Sequence, residues 1–193
     1  MTEFRCSEIL RASRKVFAEK GFADATVDDI AEAAELAKGT LYLYFPSKRE
    51  LYLAALKNGI REMVERSQTA MAAAGGIREK LRVLIRTRLE EVERNRDFFK
   101  IYHSEFGNIA HPAAGSEWFL NLYQEQLRML SGMLTEAAAA GEIRLERIET
   151  VASAIYEMTR GVMLRRTLGL STGDVEEDVD TLDEIIWNGM GKK

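Results

Sequence analysis

A short segment between residues 38 and 45 carries side chains whose types suit contact with a nucleic acid. At helical spacing, Leu41 and Phe45 lie one turn apart and are predicted to pack inward. Gly39, Tyr42 and Leu43 then point outward, with Lys38 and Thr40 at the flanks, so this side combines small, basic, hydroxyl-bearing and aromatic residues. This combination suits the major groove of DNA. A glycine lets the backbone approach closely, hydroxyls bind phosphates or base edges, and a leucine can touch a thymine methyl.

The next helix adds a basic residue to the same region. Ser47 and Glu50 form a predicted capping box, which places Lys48 in the first turn of a long helix. Unpaired backbone N–H groups at such a helix start also favour a phosphate. Two short helices joined by a turn also occur in ordinary helical packing, and tyrosines on short helices are often core residues. The shape alone therefore leaves DNA binding and plain packing open.

Local signals divide residues 26–46 into two short helices. Thr26 is predicted to be an N-cap, with Asp29 as its capping-box partner. The first helix runs to Ala34, a three-residue link follows, and the second helix ends before Pro46 because the residue before proline disfavours the helical region. Two short helices joined in this way match a helix-turn-helix.

The whole chain is predicted to be all-α. It has 193 residues, only 2 prolines and no alternating strand pattern, and its breakers separate about nine helices. We predict a three-helix helix-turn-helix domain at residues 1–47 and a larger helical domain at 48–193. The net charge of −4 means that any DNA binding depends on where the charges lie. One cysteine and no apolar run near ~18 residues lead us to expect a cytoplasmic protein that contacts no membrane.

The larger domain carries no recognisable catalytic set. The segment His103-Ser104-Glu105 and the later His111 do not have the spacing of a zinc site, because alternate residues on a helix diverge and the two histidines are eight positions apart across a loop. No metalloprotease, P-loop, nucleophile-elbow or dinucleotide motif occurs. We therefore expect no enzyme activity, no cofactor and no metal.

Aromatic side chains in the larger domain have two interpretations. The first is hydrophobic core, which accounts for most of them. The second is a cavity between helices, in which apolar walls and a few polar tips hold a small molecule. The ligand-binding candidates are Tyr102, His103, Phe106, Tyr123 and Tyr156.

The last two predicted helices are apolar over a wide face. Two adjacent stripes run through residues 151–163, and a third apolar set spans residues 175–190. Ordinary packing on the central helices explains such faces. A four-helix interface between two copies of the chain explains them as well.

The first fifty residues resemble the TetR family of transcriptional regulators. The resemblance lies in Phe17–Phe22, Thr26–Ala31 and Lys38–Lys48, where many residues agree at fixed spacing. It implies that the helix after the turn reads operator DNA through Lys38, Gly39, Thr40, Tyr42 and Tyr44, with Thr26 and Lys48 on the phosphates. It also implies a ligand cavity in the larger domain and a homodimer through the last two helices.

Three residues depart from the family pattern. Glu35 occupies a turn position where glycine is frequent, and it is strained if that position needs a positive φ. Ala37 stands where a serine often caps the recognition helix, which forgoes ~1 kcal/mol of capping. Leu43 replaces a frequent aromatic residue.

These observations predict a ligand-responsive, homodimeric DNA-binding repressor of transcription that binds a palindromic operator and is released by a small-molecule effector. Two other functions stay open. One is a helical small-molecule carrier or enzyme that does not bind DNA. The other is a DNA-binding regulator that activates transcription or senses no ligand.

Overall fold

A computed structural model of the protein describes residues 2–107 and 116–190, and all regular structure in these ranges is helical. The prediction of an all-α fold is confirmed. The described helices are α1 (Thr2–Asp24), α2 (Val27–Ala33), α3 (Lys38–Tyr44), α4 (Lys48–Ala72), α5 (Ile77–Arg94), α6 (Arg96–Gly107), α7 (Ser116–Ala139), α8 (Ile148–Thr167) and α9 (Val175–Met190). Within these ranges, none of the helices combines the length and apolarity that a bilayer crossing requires.

The sequence predicts that the first helix ends at about Lys20, with Gly21 directly after it, and α1 is interrupted at that glycine. Gly21 has φ 75° and ψ 170°, a non-helical conformation inside the element. Glycine adopts positive φ without steric cost, so it can stop the helix after Lys20. The residues that follow it make a separate final turn, and Ala25 N–H donates to the Gly21 carbonyl at 3.3 Å.

Helix α8 begins three residues later than the sequence predicts. The helical pattern of the sequence predicts a helix over residues 145–168, whereas α8 begins at Ile148 and its N-cap Arg147 makes no side-chain capping bond. Gly141 has φ 73° and Ile143 is buried, so the chain leaves helical geometry in order to place that side chain in the core. Tertiary burial therefore decides this boundary.

The first of two compact units contains residues 2–63 and 95–107 of the described chain. Its core joins α1, α3, α4 and α6 through fully buried side chains: Ile9, Phe17, Leu41, Leu51, Leu56 and Phe99. Gly59 of α4 lies directly under the ring of Phe98 from α6, so a Cβ at this position would collide with that ring. The absent side chain is what lets α6 pack closely on α4.

The second compact unit contains residues 64–94 and 116–190 of the described chain. Helix α5 packs on α8 and α9, and α7 packs on α8. The most deeply buried side chains of the unit include six aliphatic ones: Leu84, Leu89, Leu130, Leu134, Ile155 and Val179. Helix α4 has residues in both units, and the functional boundary between residues 47 and 48 stays a prediction.

Candidate nucleic-acid interface

Helix α2 starts with a complete capping box. Thr26 Oγ1 accepts a hydrogen bond from Asp29 N–H at 3.1 Å, and Asp29 Oδ2 accepts from Thr26 N–H at 2.9 Å. Lys20 Nζ lies 2.8 Å from Asp29 Oδ1. The hydrogen bond from Lys20, and then those from Thr26, lower the pKa of Asp29 to about 2. The predicted start of the helix-turn-helix is confirmed, and a charge pair ties it to the end of α1.

The turn after α2 holds a glutamate in a left-handed conformation. Glu35 has φ 55°, and it is the one described non-glycine residue with a positive φ. Leu36 N–H donates to Ala31 O at 2.9 Å and Glu35 N–H donates to Glu32 O at 3.0 Å, which together make a Schellman motif. The strain anticipated for glutamate at this position is therefore present. The motif sets the direction in which α3 leaves the turn.

Helix α3 has one buried side and one open side. Leu41 is 1% exposed, as predicted, whereas Phe45 is half-buried. Tyr42 is 44% exposed and Leu43 is 84% exposed. Gly39 is also exposed, while Thr40 and Tyr44 are half-buried. The N-cap of the helix is Ala37, which makes no side-chain capping bond.

Lys38 at the start of α3 is held by a carboxylate of α2. Its Nζ donates to Asp28 Oδ2 at 2.7 Å, and this hydrogen bond raises the pKa of the ammonium group. Both side chains are half exposed or more. An exposed pair of this kind contributes little to stability, so a phosphate can replace the carboxylate at small cost.

Lys48 donates hydrogen bonds to backbone carbonyl groups of the protein itself. Its Nζ donates to the carbonyl oxygens of Phe22, Ala23 and Ala25 at 2.7, 3.1 and 2.8 Å, and it lies 4.7 Å from the centre of the Phe22 ring. An ammonium group has three N–H donors, and these three carbonyls accept all of them. A phosphate contact by Lys48 stays a prediction, and it would have to compete with these bonds.

The ligand-binding candidates fall into two groups. Tyr102 and His103 belong to α6 in the first unit, where their ring centres are 5.3 Å apart. Tyr123 of α7 and Tyr156 of α8 belong to the second unit, where their rings meet edge to face at 5.2 Å. The side chain of Phe106 lies outside the described residues. Tyr102 and Tyr156 are each 3% exposed, which agrees with a core position.

A buried arginine beside this tyrosine pair was not anticipated. Arg88 is 5% exposed, and its Nη2 donates to Gln126 Oε1 at 2.6 Å. Its guanidinium carbon lies 5.5 Å from the centre of the Tyr156 ring. The signal was present in the sequence, since Arg88 continues the apolar stripe of α5 through Leu81 and Leu84.

A groove of about 170 Å³ lies between α5 and α7 in the second unit. It is lined by Ile77, Lys80, Met133, Glu136, Ala137, Ala140 and Glu142. None of the predicted ligand-binding residues lines it, and it is smaller than the ~300 Å³ at which ligand pockets begin. Glu142 has a structural role there, because its Oε2 accepts from Ile77 N–H at 2.9 Å and caps α5.

Comparison with known proteins identifies the N-terminal region first. Residues 9–55 match the model of the bacterial regulatory proteins of the tetR family. Across 139 residues the chain is 27% identical to the fatty acid metabolism regulator protein of Bacillus subtilis, covering 71% of this chain and 70% of that protein. Across 163 residues it is 28% identical to the transcriptional repressor KstR2 of Rhodococcus jostii, covering 83% and 78%.

The solved structures agree with the fold. The crystal structure of the transcriptional regulator FadR from Bacillus subtilis in complex with stearoyl-CoA superposes with a TM-score of 0.82. The match covers 95% of this chain and 98% of that chain at 22% sequence identity. At this identity the likeness concerns the fold alone, and it extends over both compact units.

Proposed function

Since this chain belongs to the TetR family of transcriptional regulators, we propose that it works as a homodimeric repressor that binds a palindromic operator and leaves it when a small-molecule effector binds. The observation that carries the proposal is the open side of α3, where Gly39, Tyr42 and Leu43 are exposed. A capped α2 and a Schellman turn hold this side in a defined direction. The proposed DNA contacts are Thr26, Lys38, Gly39, Thr40, Tyr42, Leu43, Tyr44 and Lys48.

The homodimer is proposed from the surfaces of α8 and α9. One apolar stripe of α8 is buried within its own unit: Ala152, Tyr156, Thr159 and Met163. The adjacent stripe is only half-buried at Val151, Met158 and Val162. On α9, Ile185 is 54% exposed. A second copy would cover these side chains, and two-fold symmetry would then place two α3 helices about 34 Å apart in successive major grooves.

The effector is proposed to bind the second unit as a molecule with a long apolar part. Two observations on relatives support this class. One is the fatty acid metabolism regulator of Bacillus subtilis, and the other is the FadR structure that holds stearoyl-CoA. Tyr123 and Tyr156 are the proposed contacts in the second unit. Tyr102, His103 and Phe106 belong to α6 in the first unit, and their role in ligand binding stays a prediction from the sequence. Effector and DNA would oppose each other through different affinities for two states of the dimer.

DNA binding is tested on the region upstream of the gene that encodes this protein, by fluorescence anisotropy against a random duplex. We expect Tyr42→Ala to weaken operator binding by about tenfold or more, because a hydrogen bond to a charged phosphate is worth about 1.5–3 kcal/mol. Leu120→Ala is the matched control, because Leu120 on α7 has the same 44% exposure. It should leave both binding and melting temperature unchanged.

Two results would contradict the DNA-binding proposal. One is equal affinity for the upstream region and the random duplex over a full salt titration. The other is unfolding of the Tyr42→Ala variant, which would make Tyr42 a core residue. A reporter in a strain that lacks the protein distinguishes repression from activation: reporter expression should rise in this strain if the protein represses transcription.

The effector class is tested on the operator complex. We expect long-chain acyl-CoA to release the labelled operator, while coenzyme A alone does not. Release by neither molecule, together with no thermal shift across acyl chains of different length, would rule out this effector class and leave the DNA-binding proposal intact.

A further inference from the structure

Leu43 is the most exposed large hydrophobic side chain of the described chain. It is 84% exposed, in the middle of a unit whose neighbouring leucines, Leu41 and Leu51, are buried. Its side chain contributes nothing to the core, and a polar residue would suit this exposed position on α3 equally well. Its side chain is therefore available to a partner without any rearrangement of the fold.

The geometry of α3 places Leu43 at the centre of the open side. Successive residues on a helix are rotated by about 100°, so Gly39 and Leu43 flank the direction opposite to buried Leu41. Nothing lies within 4 Å of the position where a Cβ on Gly39 would be. Thr40 and Tyr42 are rotated by about a quarter-turn from this direction, one to each side of the helix. When α3 enters a groove, positions 39 and 43 face the floor, while positions 40 and 42 face the walls.

A leucine at this position can recognise one feature of the groove floor. Its side chain has no donor and no acceptor, so it forms no hydrogen bond with the polar base edges. In the major groove, the apolar group that a base pair presents is the C5 methyl of thymine. The missing side chain at Gly39 lets the backbone come close enough for a short branched side chain to reach it.

We infer that Leu43 is a specificity-determining residue that reads the C5 methyl group of a pyrimidine in each operator half-site. The inference rests on the proposed function, since it names what one residue recognises in the operator. Tyr42 and Thr40 contact the backbone at the walls of the groove, so they position the helix without selecting a base.

The test removes the methyl group from the DNA. Once footprinting has located the operator, each thymine in both half-sites is replaced in turn by deoxyuridine, which keeps the base pair and loses only the methyl. We expect one thymine position, present once in each half-site, to respond. Its replacement in one half-site should lower affinity by about fourfold, and in both half-sites on the order of 15-fold, because the apolar surface of the methyl group is no longer buried.

The protein side of the test is a double-mutant cycle. Leu43→Ala should weaken binding to the thymine operator by a similar factor, but should cause no further loss on the deoxyuridine operator. Leu43→Ala is expected to fold normally because the side chain is exposed. Leu120→Ala again serves as the control and should behave like the unaltered protein on both operators.

The outcomes separate this inference from the proposed function. If Tyr42→Ala abolishes operator binding but no deoxyuridine substitution weakens it, methyl recognition by Leu43 is overturned and the proposed function stands. Equal losses for Leu43→Ala on both operators also overturn the inference, since Leu43 would then contact something other than the methyl. A protein without sequence-specific binding overturns both.

Discussion

Two charged clusters, one in each unit, are arranged in opposite ways. Around α2 and α3, the pair of Lys38 and Asp28 joins residues ten positions apart, and both are half exposed or more. In the second unit, Asp183 is 7% exposed and accepts from Arg78 and Arg82, which are 105 and 101 positions away. The first arrangement leaves charge at the surface, whereas the second uses it inside the fold.

The exposure of each set of charges decides what it can do. Exposed pairs exchange partners at a cost of ~0–1 kcal/mol, so Lys38 can turn to a phosphate. Buried charges must keep their partners, because an uncompensated charge in the interior is expensive. Burial by itself raises the pKa of Asp183, yet the hydrogen bonds from Arg78 and Arg82 hold that pKa below its ordinary value. These contacts fasten α9 to α5.

The largest expected effect tests the buried side of this comparison. Arg166 is 4% exposed and donates to Asp178 and Glu93, and to the carbonyls of Gly173 and Asp174. We expect Arg166→Met to lower the free energy of unfolding by about 3 kcal/mol, because it leaves carboxylates without their cation. Urea denaturation measures this.

The adjacent residue supplies the control for this prediction. Arg165→Met alters the exposed neighbour, whose side chain donates a hydrogen bond of 3.4 Å to the Leu170 carbonyl. It should change the free energy of unfolding by less than about 0.5 kcal/mol. Equal effects of the two substitutions would remove the distinction between buried and exposed charges.

The next effect in size concerns the missing cap of α3. Ala37 has extended backbone geometry, φ −69° and ψ 140°, at the N-cap position. We expect Ala37→Ser to raise the free energy of unfolding by about 1 kcal/mol, since a hydroxyl can accept from a free backbone N–H. Ala33→Ser, at an exposed position inside α2, cannot cap and should give no increase. A gain for both variants would point to a cause other than capping.

A smaller effect tests the exposed pair. Asp28→Asn should strengthen DNA binding by about threefold, because it frees Lys38 for phosphate and removes a negative charge from the surface, at a cost in stability of ~0–1 kcal/mol. Anisotropy titrations at two salt concentrations measure the affinity. Glu32→Gln removes an exposed negative charge from the same helix as a control. If both substitutions strengthen binding equally, the release of Lys38 is not the cause.

The smallest effect is a pH dependence at the start of α2. The pKa of Asp29 is about 2 in the folded protein, whereas an aspartate without these contacts has a pKa of 3.8. The folded state therefore favours the ionised form. The contribution of Asp29 to stability is then complete above about pH 4 and disappears as the pH falls through 2. An NMR titration of the Asp29 carboxyl should show a midpoint near 2.

A stability comparison checks the same linkage independently. The difference in urea midpoint between the unaltered protein and Asp29→Asn should be constant at neutral pH and shrink between pH 4 and pH 2. A carboxyl midpoint near 4 would mean that neither Lys20 nor Thr26 holds the carboxylate.

The sequence predicted the first unit more completely than the second. The capping box of Thr26 and the burial of Leu41 were predicted from residues close in the chain, whereas a positive φ at Glu35 was considered only because the family pattern often has glycine there. In the second unit, helix positions were predicted well, but the buried Arg88 and the start of α8 at Ile148 were not. Both depend on which side chains other helices bring to the same place.

By itself, the sequence determined the helices, their caps and the two sides of α3, because a helix and its caps depend on residues within about four positions of one another. Only the tertiary structure decided which charges meet. It gave Lys48 three carbonyls that lie 23 to 26 positions away, and it gave Arg82 a partner 101 positions away. Helical periodicity identifies the face on which a side chain lies, but which residue lies opposite follows from how the helices pack together.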